Sequence, residues 1–207
     1  MRVSTNHRFV FVSTPKAGTH TIYRILEDHF ADGLDRPGFH YNQIPEEYSS
    51  YYRWTMCRNP FARAISTWWS ACRLAHKDQY HFRARCGAED DFTRFIVWLA
   101  GTSHEERLRE PVMQNQSEWL APVEPIHALK IEDIASELQT LPFWRAGIEI
   151  PRLNTTDKKI VDQEAREGAA IERPSSSDLL ADATARDAVI QWAGQDFERF
   201  GYSREPS

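Results

Sequence analysis

The chain has 207 residues, 41% of them hydrophobic, and a formal net charge of -5. This size and composition support one substantial core, so we expect a single domain over residues 1–207. The negative net charge excludes the broad basic face of general nucleic-acid and membrane-surface binders. No run approaches the roughly 18 apolar residues of a membrane span, and no signal-peptide core precedes the first predicted strand. We therefore expect a cytoplasmic protein with no membrane span and no nucleic-acid partner.

The three cysteines are Cys57, Cys72 and Cys86. They are odd in number and lack paired metal-ligand spacing, so they indicate reduced thiols. We expect neither a disulfide framework nor a zinc site from them.

The first predicted strand-loop-helix unit spans Phe9–Leu26. Its opening FVFV, at 9–12, is a continuous β-prone run, typical of a strand buried on both faces. In the Pro-Lys-Ala-Gly-Thr turn that follows, Gly18 permits close approach of the backbone to a ligand, and Thr19 is predicted to cap the next helix. The helix N-terminus would point its N–H groups at the loop, where Lys16 adds a full positive charge. The unit is thus a candidate anion site.

This turn is not the Walker motif, G-x-x-x-x-G-K-[ST], because Lys16 precedes Gly18 by two residues. Taken alone, it is equally compatible with an ordinary strand-to-helix turn that carries a solvated lysine. A second anion-binding turn would favour the ligand site.

The segment between the two candidate turns has two features. Residues 32–38 are rich in Gly, Asp and Pro and predict a loop, with His40 just beyond it. The helix-like segment IPEEYSSYY follows at 44–52. These features predict a loop and a helix before the next strand.

A second β-prone run, at 53–57, leads into RNPFARAIS at 58–66. Pro60 suits the first turn of a helix, and from there Arg63 and Ser66 lie three residues apart on one helical face. Arg58 stands at the strand end, so all three side chains can converge on one anion, whose oxygens match the guanidinium fork. The alternative is an ordinary arginine–carboxylate surface pair beside a helix serine.

The C-terminal part of the chain continues the alternation of predicted strands and helices. Residues 127–131 predict a buried strand and 132–141 a helix, whereas the polar stretch 154–177 predicts a long loop that carries Lys158 and Lys159. Residues 178–200 predict an amphipathic helix that Gly201 ends. Strands alternating with helices indicate an α/β fold with a mainly parallel sheet covered on both faces and a ligand at the carboxyl ends of the strands.

PKAGTHT at 15–21 and RNPFARAIS at 58–66 resemble the two signature motifs of the sulfotransferases that use 3'-phosphoadenosine 5'-phosphosulfate (PAPS), particularly the carbohydrate-type branch. Weaker similarity continues through Gln116, Ser117 and Leu120, the segments 128–141 and 153–155, and the ending DFERFGY. The resemblance implies a P-loop-like three-layer fold with a mainly parallel central sheet flanked by helices. It also implies that the loop at 154–177 closes over the nucleotide.

The resemblance also assigns roles to residues. The first motif would cradle the 5'-phosphosulfate through Lys16, Ala17, Gly18, Thr19, His20 and Thr21. The second would hold the 3'-phosphate through Arg58 and Ser66, with Arg63 assisting. The family more often has Ser or Thr at the position of His20, so that residue could donate a hydrogen bond or take part in proton transfer.

Sulfuryl transfer needs a positive charge at the departing oxygen and a general base for the acceptor hydroxyl. Lys16 and the helix N–H groups would supply the charge, and the scheme requires no metal. His40 is the favoured base, because the resembled branch often has a His between the two motifs and a neutral imidazole suits the task near pH 7. Glu46 and Glu47 are the alternatives.

The sequence therefore predicts a PAPS-dependent sulfotransferase that acts on a hydroxyl acceptor, on a sugar or glycoconjugate. The alternatives are a metal-dependent nucleotide kinase of related fold, which the missing Walker spacing disfavours, and a nucleotide-binding protein without catalysis. The pattern leaves open the identity of the acceptor and the oligomeric state.

Overall fold

The structure is a computed structural model that describes residues 1–38, 40–73, 86–88, 90–151 and 174–206. The chain divides into two compact units, each made of two stretches of sequence. The first unit contains Met1–Arg58 and Gln116–Leu153, and the second contains Asn59–Asn115 and Asn154–Ser207. The single domain over residues 1–207 stays a prediction.

The described part of the first unit contains a five-stranded sheet. Its strands are β1 (Arg2–Ser4), β2 (Phe9–Phe11), β3 (Leu34–Asp35), β4 (Tyr52–Cys57) and β5 (His127–Lys130). Their order across the sheet is β3-β1-β2-β4-β5. The three strands predicted from the sequence are present, with bounds that differ by one residue.

In the described residues the sheet is mixed, so the prediction of a mainly parallel sheet is not confirmed. Strands β2 and β4 pair in parallel, as do β4 and β5, but β1 runs antiparallel to both β2 and β3. Residues 5–8 between β1 and β2 are too few for the crossover that a parallel pair needs. The sequence pattern missed β1 because its three residues hold one apolar side chain, Val3.

The α-helices in the described residues are α1 (Thr19–His29), α2 (Pro60–Trp68), α3 (Phe92–Gly101), α4 (His104–Leu108), α5 (Gln116–Leu120), α6 (Ile134–Leu138), α7 (Ser176–Leu179) and α8 (Ala183–Phe200). A π-helical segment, Trp69–Arg73, continues α2. Two predicted helices are shorter than expected. IPEEYSSYY forms only a 3₁₀ turn, Glu46–Tyr48, and the helix predicted at 132–141 is a 3₁₀ turn, Ile131–Asp133, followed by α6.

Each unit has its own hydrophobic core. In the first unit, α1 and α6 pack against the sheet through side chains that are at most 1% exposed: Phe9, Phe11, Ile22, Leu26, Trp54, Leu129 and Leu138. All three residues of β2 are buried, as the apolar run predicts. These contacts fix where β2 ends and α1 begins, and so they set the position of the loop between them.

The second unit is helical in its described part. Helices α2, α3 and α8 pack around a core that includes Phe61, Trp68, Phe95, Leu99, Val189 and Phe197. The predicted helix 178–200 is divided, since α7 carries its own capping box at Ser175, and Gly201 ends α8 with φ 64° as predicted. Lys158, Lys159 and most of the loop predicted at 154–177 lie outside the described residues.

Candidate functional site

The loop between β2 and α1 has a left-handed backbone at two positions. Lys16 has φ 67° and Gly18 has φ 78°. This conformation costs a residue with a Cβ roughly 1–2 kcal/mol, so the surrounding structure holds Lys16 in place against strain. Strain of this kind concentrates at ligand sites. The strained backbone and the positive charge of half-buried Lys16 therefore both mark it as a candidate ligand contact.

Glycine is favoured at position 18 for two reasons. Its φ of 78° disfavours any other residue, and a Cβ built there would lie 2.6 Å from Ile131 Cδ1. Ile131 follows the last residue of β5, so the loop passes close to the end of that strand. Gly18 thus has a packing role that the sequence did not reveal.

The start of α1 differs from the prediction. The N-cap is Gly18, with no side-chain hydrogen bond among the described residues, and Thr19 is the first helical residue rather than the cap. Thr19 Oγ1 instead donates to the Thr14 carbonyl at 3.1 Å. The first bond within the helix runs from Ile22 N–H to the Gly18 carbonyl, 3.2 Å, so the N–H groups of Thr19 and Thr21 have no acceptor within α1. Such donors favour an anion at this end of the helix.

Buried hydroxyl groups fasten this loop to the sheet. Thr14 Oγ1 and Thr55 Oγ1 share a hydrogen bond of 2.8 Å, and Thr55 Oγ1 also bonds to the Val12 carbonyl at 2.7 Å. Both threonines are at most 1% exposed. Since Thr55 lies on β4, the loop after β2 is held to the neighbouring parallel strand.

Arg58 contacts the same loop. It directly follows β4, and its Nη1 donates to the Lys16 carbonyl at 3.3 Å. Gln116, which is fully buried, holds the Arg58 backbone at both ends: its Oε1 accepts from Arg58 N–H at 2.8 Å and its Nε2 donates to the Arg58 carbonyl at 2.9 Å. The first arginine of the second motif thus lies beside the first motif, where parallel strands end.

The rest of the second motif belongs to the second unit. Helix α2 begins at Pro60, as predicted, and the Asn59 side chain caps it by accepting from Phe61 N–H (2.9 Å) and Ala62 N–H (3.3 Å). This cap was not predicted from the sequence, although Asn is among the preferred N-cap residues.

Arg63 and Ser66 have different environments on α2. Arg63 is fully buried, its Nη2 donates to the Gln114 carbonyl at 2.8 Å, and its guanidinium lies 5.1 Å from the centre of the Trp192 ring. These contacts give Arg63 a structural role within the second unit. Ser66 is half-buried. The 3'-phosphate contacts of Arg58, Arg63 and Ser66 stay predictions.

The predicted base, His40, lies near the start of the first loop. Its half-buried ring is perpendicular to the ring of Trp119, with 6.4 Å between centroids, and Trp119 Nε1 donates to the Ser13 carbonyl at 3.1 Å. The alternatives, Glu46 and Glu47, are exposed. Of the other residues of the first motif, Ala17 is buried and His20 is exposed.

The sequence matches the Sulfotransferase family over residues 1–203. The chain belongs to this family. Comparisons with curated proteins and with solved structures gave no match. The match covers both compact units, and it identifies sulfuryl transfer as the reaction class of the chain.

A buried tyrosine lies behind the first loop of this sulfotransferase. Tyr23 on α1 donates from its hydroxyl to Ser13 Oγ at 3.0 Å, and the Arg2 guanidinium lies 3.6 Å from the centre of its ring. Burial raises the pKa of Tyr23 above its usual value. The phenol is therefore a neutral donor at physiological pH, and it holds Ser13 near the start of the loop.

In the residues that the structure describes, no group of three or more His, Cys, Asp and Glu side chains could hold a metal ion. None of the described helices is both long enough and apolar enough to cross a lipid bilayer.

Proposed function

We propose that the chain transfers the sulfuryl group of PAPS to a hydroxyl of a saccharide or glycoconjugate. The observation that carries the proposal is the hydrogen bond from Arg58 to the Lys16 carbonyl, which brings the first residue of the second signature motif beside the loop of the first motif. The P-loop-like three-layer arrangement, the single domain and the cytoplasmic location belong to the same proposal.

The residues present fit the two anionic ends of PAPS. The N–H groups at the start of α1, with Lys16, suit the oxygens of the 5'-phosphosulfate. A guanidinium suits the 3'-phosphate, because it can donate to two oxygens at once, and in the proposal Arg58 fills this role with Ser66. The fully buried Arg63 would assist by supporting α2 through its bond to the Gln114 carbonyl. His20 and Thr21 would lie at the phosphosulfate end, where His20 could donate a hydrogen bond.

In this proposal the acceptor oxygen attacks the sulfur while the bond from sulfur to the bridging phosphate oxygen breaks. Negative charge gathers on that departing oxygen, where Lys16 and the helix N–H groups stabilise it. His40 removes the proton from the acceptor hydroxyl. These groups supply the charge and the base that the reaction needs, so the proposal includes no metal.

Transfer of label from PAPS tests the proposal directly. The purified chain is incubated with ³⁵S-labelled PAPS and a panel of 4-nitrophenyl glycosides, and in parallel with ³²P-labelled ATP, Mg²⁺ and the same panel. We expect label to move from PAPS to at least one glycoside and not from ATP. Phosphoryl transfer from ATP would instead support the kinase, and tight PAPS binding with no transfer would support a nucleotide-binding protein without catalysis.

The base is tested with His40→Ala. After its melting temperature and nucleotide affinity are shown to match wild type, transfer is measured from pH 5 to 9. We expect a rate loss of about 10²-fold or more and the disappearance of the acidic limb of the profile. An unchanged rate and profile would remove His40 from the mechanism, and His20→Ala and Glu47→Gln would then be measured in the same way.

A further inference from the structure

Helix α5 contacts three separate parts of the candidate site. Gln116, at its start, holds the backbone of Arg58 through two hydrogen bonds. Trp119, one turn later, donates from Nε1 to the Ser13 carbonyl at 3.1 Å. The Trp119 carbonyl accepts from Asn42 Nδ2 at 2.8 Å, and its ring lies beside His40. All of these residues belong to the first unit.

Trp119 connects two segments whose relative position matters for in-line transfer. The first is the loop after β2, which includes Ser13 and carries Lys16. The second is the segment from His40 to Asn42, which carries the proposed base. The indole N–H and the main-chain carbonyl of Trp119 are directional groups, and the side chain is 3% exposed. Its two hydrogen bonds therefore fix both segments to one rigid, buried point.

We propose that Trp119 is a positioning residue for sulfuryl transfer, and that it sets the distance between the His40 segment and the loop that carries Lys16. Gln116 has the corresponding role for Arg58, whose backbone it fixes. This inference rests on the proposed function, because it assigns Trp119 to the chemical step and Gln116 to nucleotide binding. A displacement of about 1 Å between reacting groups can cost about 10²-fold in rate.

The decisive variant is Trp119→Phe, which removes the N–H donor and keeps an aromatic ring in the core. We expect kcat to fall by about 10- to 100-fold, while the Kd for 3'-phosphoadenosine 5'-phosphate stays within about threefold of wild type. In the variant, the acidic limb of the pH–rate profile, which is attributed to His40, should also be less steep. A purely structural role would reduce stability without separating kcat from nucleotide affinity.

Gln116→Met provides the complementary result. It keeps the length of the side chain and removes both hydrogen bonds to Arg58. We expect the Kd for 3'-phosphoadenosine 5'-phosphate to rise by about tenfold, whereas the Kd for adenosine 5'-phosphate, which lacks the 3'-phosphate, changes little. Equal losses for the two nucleotides would contradict the role assigned to Gln116.

Trp68→Phe is the matched control for Trp119→Phe. Trp68 is also a buried indole, 1% exposed, and its Nε1 donates to the Ala88 carbonyl at 3.2 Å, but it belongs to the core of the second unit. The two variants should lose similar stability, and only Trp119→Phe should lose kcat beyond the fraction unfolded. Asn42→Ala, at a half-buried residue, removes the hydrogen bond to the Trp119 carbonyl and leaves the core unchanged. It should lower kcat by about 3- to 10-fold.

The assay uses PAPS with the glycoside that wild type sulfates fastest. A wild type that transfers, together with Trp119→Phe and Asn42→Ala variants that keep its kcat, would overturn the inference and leave the proposed function intact. A wild type that binds PAPS and transfers nothing would overturn the proposed function and the inference with it. If Trp119→Phe fails to fold, Asn42→Ala alone decides: a normal kcat and pH profile in that variant refutes the positioning role.

Discussion

The two strand-loop-helix units that carry the signature motifs look alike in sequence and differ in how their helices begin. Helix α1 follows Gly18, which offers no side chain to its first N–H groups. Helix α2 follows Asn59, whose side chain accepts from both Phe61 N–H and Ala62 N–H, and its first residue, Pro60, has no N–H. The first backbone donors of α1 thus have no side-chain cap, whereas those of α2 bond to Asn59.

This difference indicates two ways to bind an anion. In our proposal the first loop presents main-chain N–H groups and a strained lysine, an arrangement suited to stabilising charge in a transition state. The second motif must rely on side chains such as Arg58, because its helix start is already capped. A side-chain site suits recognition of a phosphate that does not react. The predictions below test this division of roles.

The largest effect is expected from Lys16→Ala. If Lys16 stabilises the leaving group, kcat should fall by about 10²-fold or more, while the Kd for 3'-phosphoadenosine 5'-phosphate changes much less. Arg24→Ala is the control, because Arg24 is an exposed cation on α1, the helix that follows the loop of Lys16, and it is paired with Asp28 at 2.7 Å. Equal turnover in Lys16→Ala and wild type would remove Lys16 from the mechanism.

An intermediate effect is expected from Gly18→Ala. The left-handed backbone and the 2.6 Å approach of a Cβ to Ile131 Cδ1 should together lower the free energy of unfolding by about 1–3 kcal/mol. Chemical denaturation measures this loss. A double variant with Ile131→Val, which lacks that methyl, should recover the steric part and retain about 1 kcal/mol from the backbone. Full stability in Gly18→Ala would show that the loop does not have the described conformation.

The smallest effect is expected from Asn59→Ala. Loss of the cap should reduce the free energy of unfolding by about 1 kcal/mol. The preference for a 3'-phosphorylated nucleotide should persist, because in this account the phosphate binds to side chains. Thermal melting and calorimetry on the same preparation measure both quantities. A large fall in nucleotide affinity at unchanged stability would show that Asn59 itself binds the nucleotide. That result would contradict the role of Asn59 as a helix cap only.

Much of the site scaffold was predictable from the sequence, because it depends on local patterns. The apolar run at 9–12, Pro60 at a helix start and Gly201 at a helix end each have one strong physical meaning, and the structure confirms the strand, the helix start and the C-cap. The candidate loop between β2 and α1 was located by such patterns.

The rest depends on contacts between residues distant in sequence. The left-handed Lys16 and the approach of Gly18 to Ile131 are set by neighbours that no local pattern reveals. The antiparallel strand β1 was missed because Val3 alone carries its apolar signal. Thr19 was expected as a cap, but the Thr14 carbonyl accepts its hydroxyl instead. The similarity at Gln116 was visible in the sequence, whereas its bonds to Arg58 were not.

The affinity of Arg58→Ala for two nucleotides tests the central claim most directly. Calorimetry compares 3'-phosphoadenosine 5'-phosphate with adenosine 5'-phosphate on wild type and on the variant. Wild type should prefer the 3'-phosphorylated nucleotide by about 10- to 100-fold, which corresponds to one charged hydrogen bond of about 1.5–3 kcal/mol. Arg58→Ala should lose most of that preference and keep its affinity for adenosine 5'-phosphate. A preference that survives intact in Arg58→Ala would contradict the account and place the second anion site elsewhere.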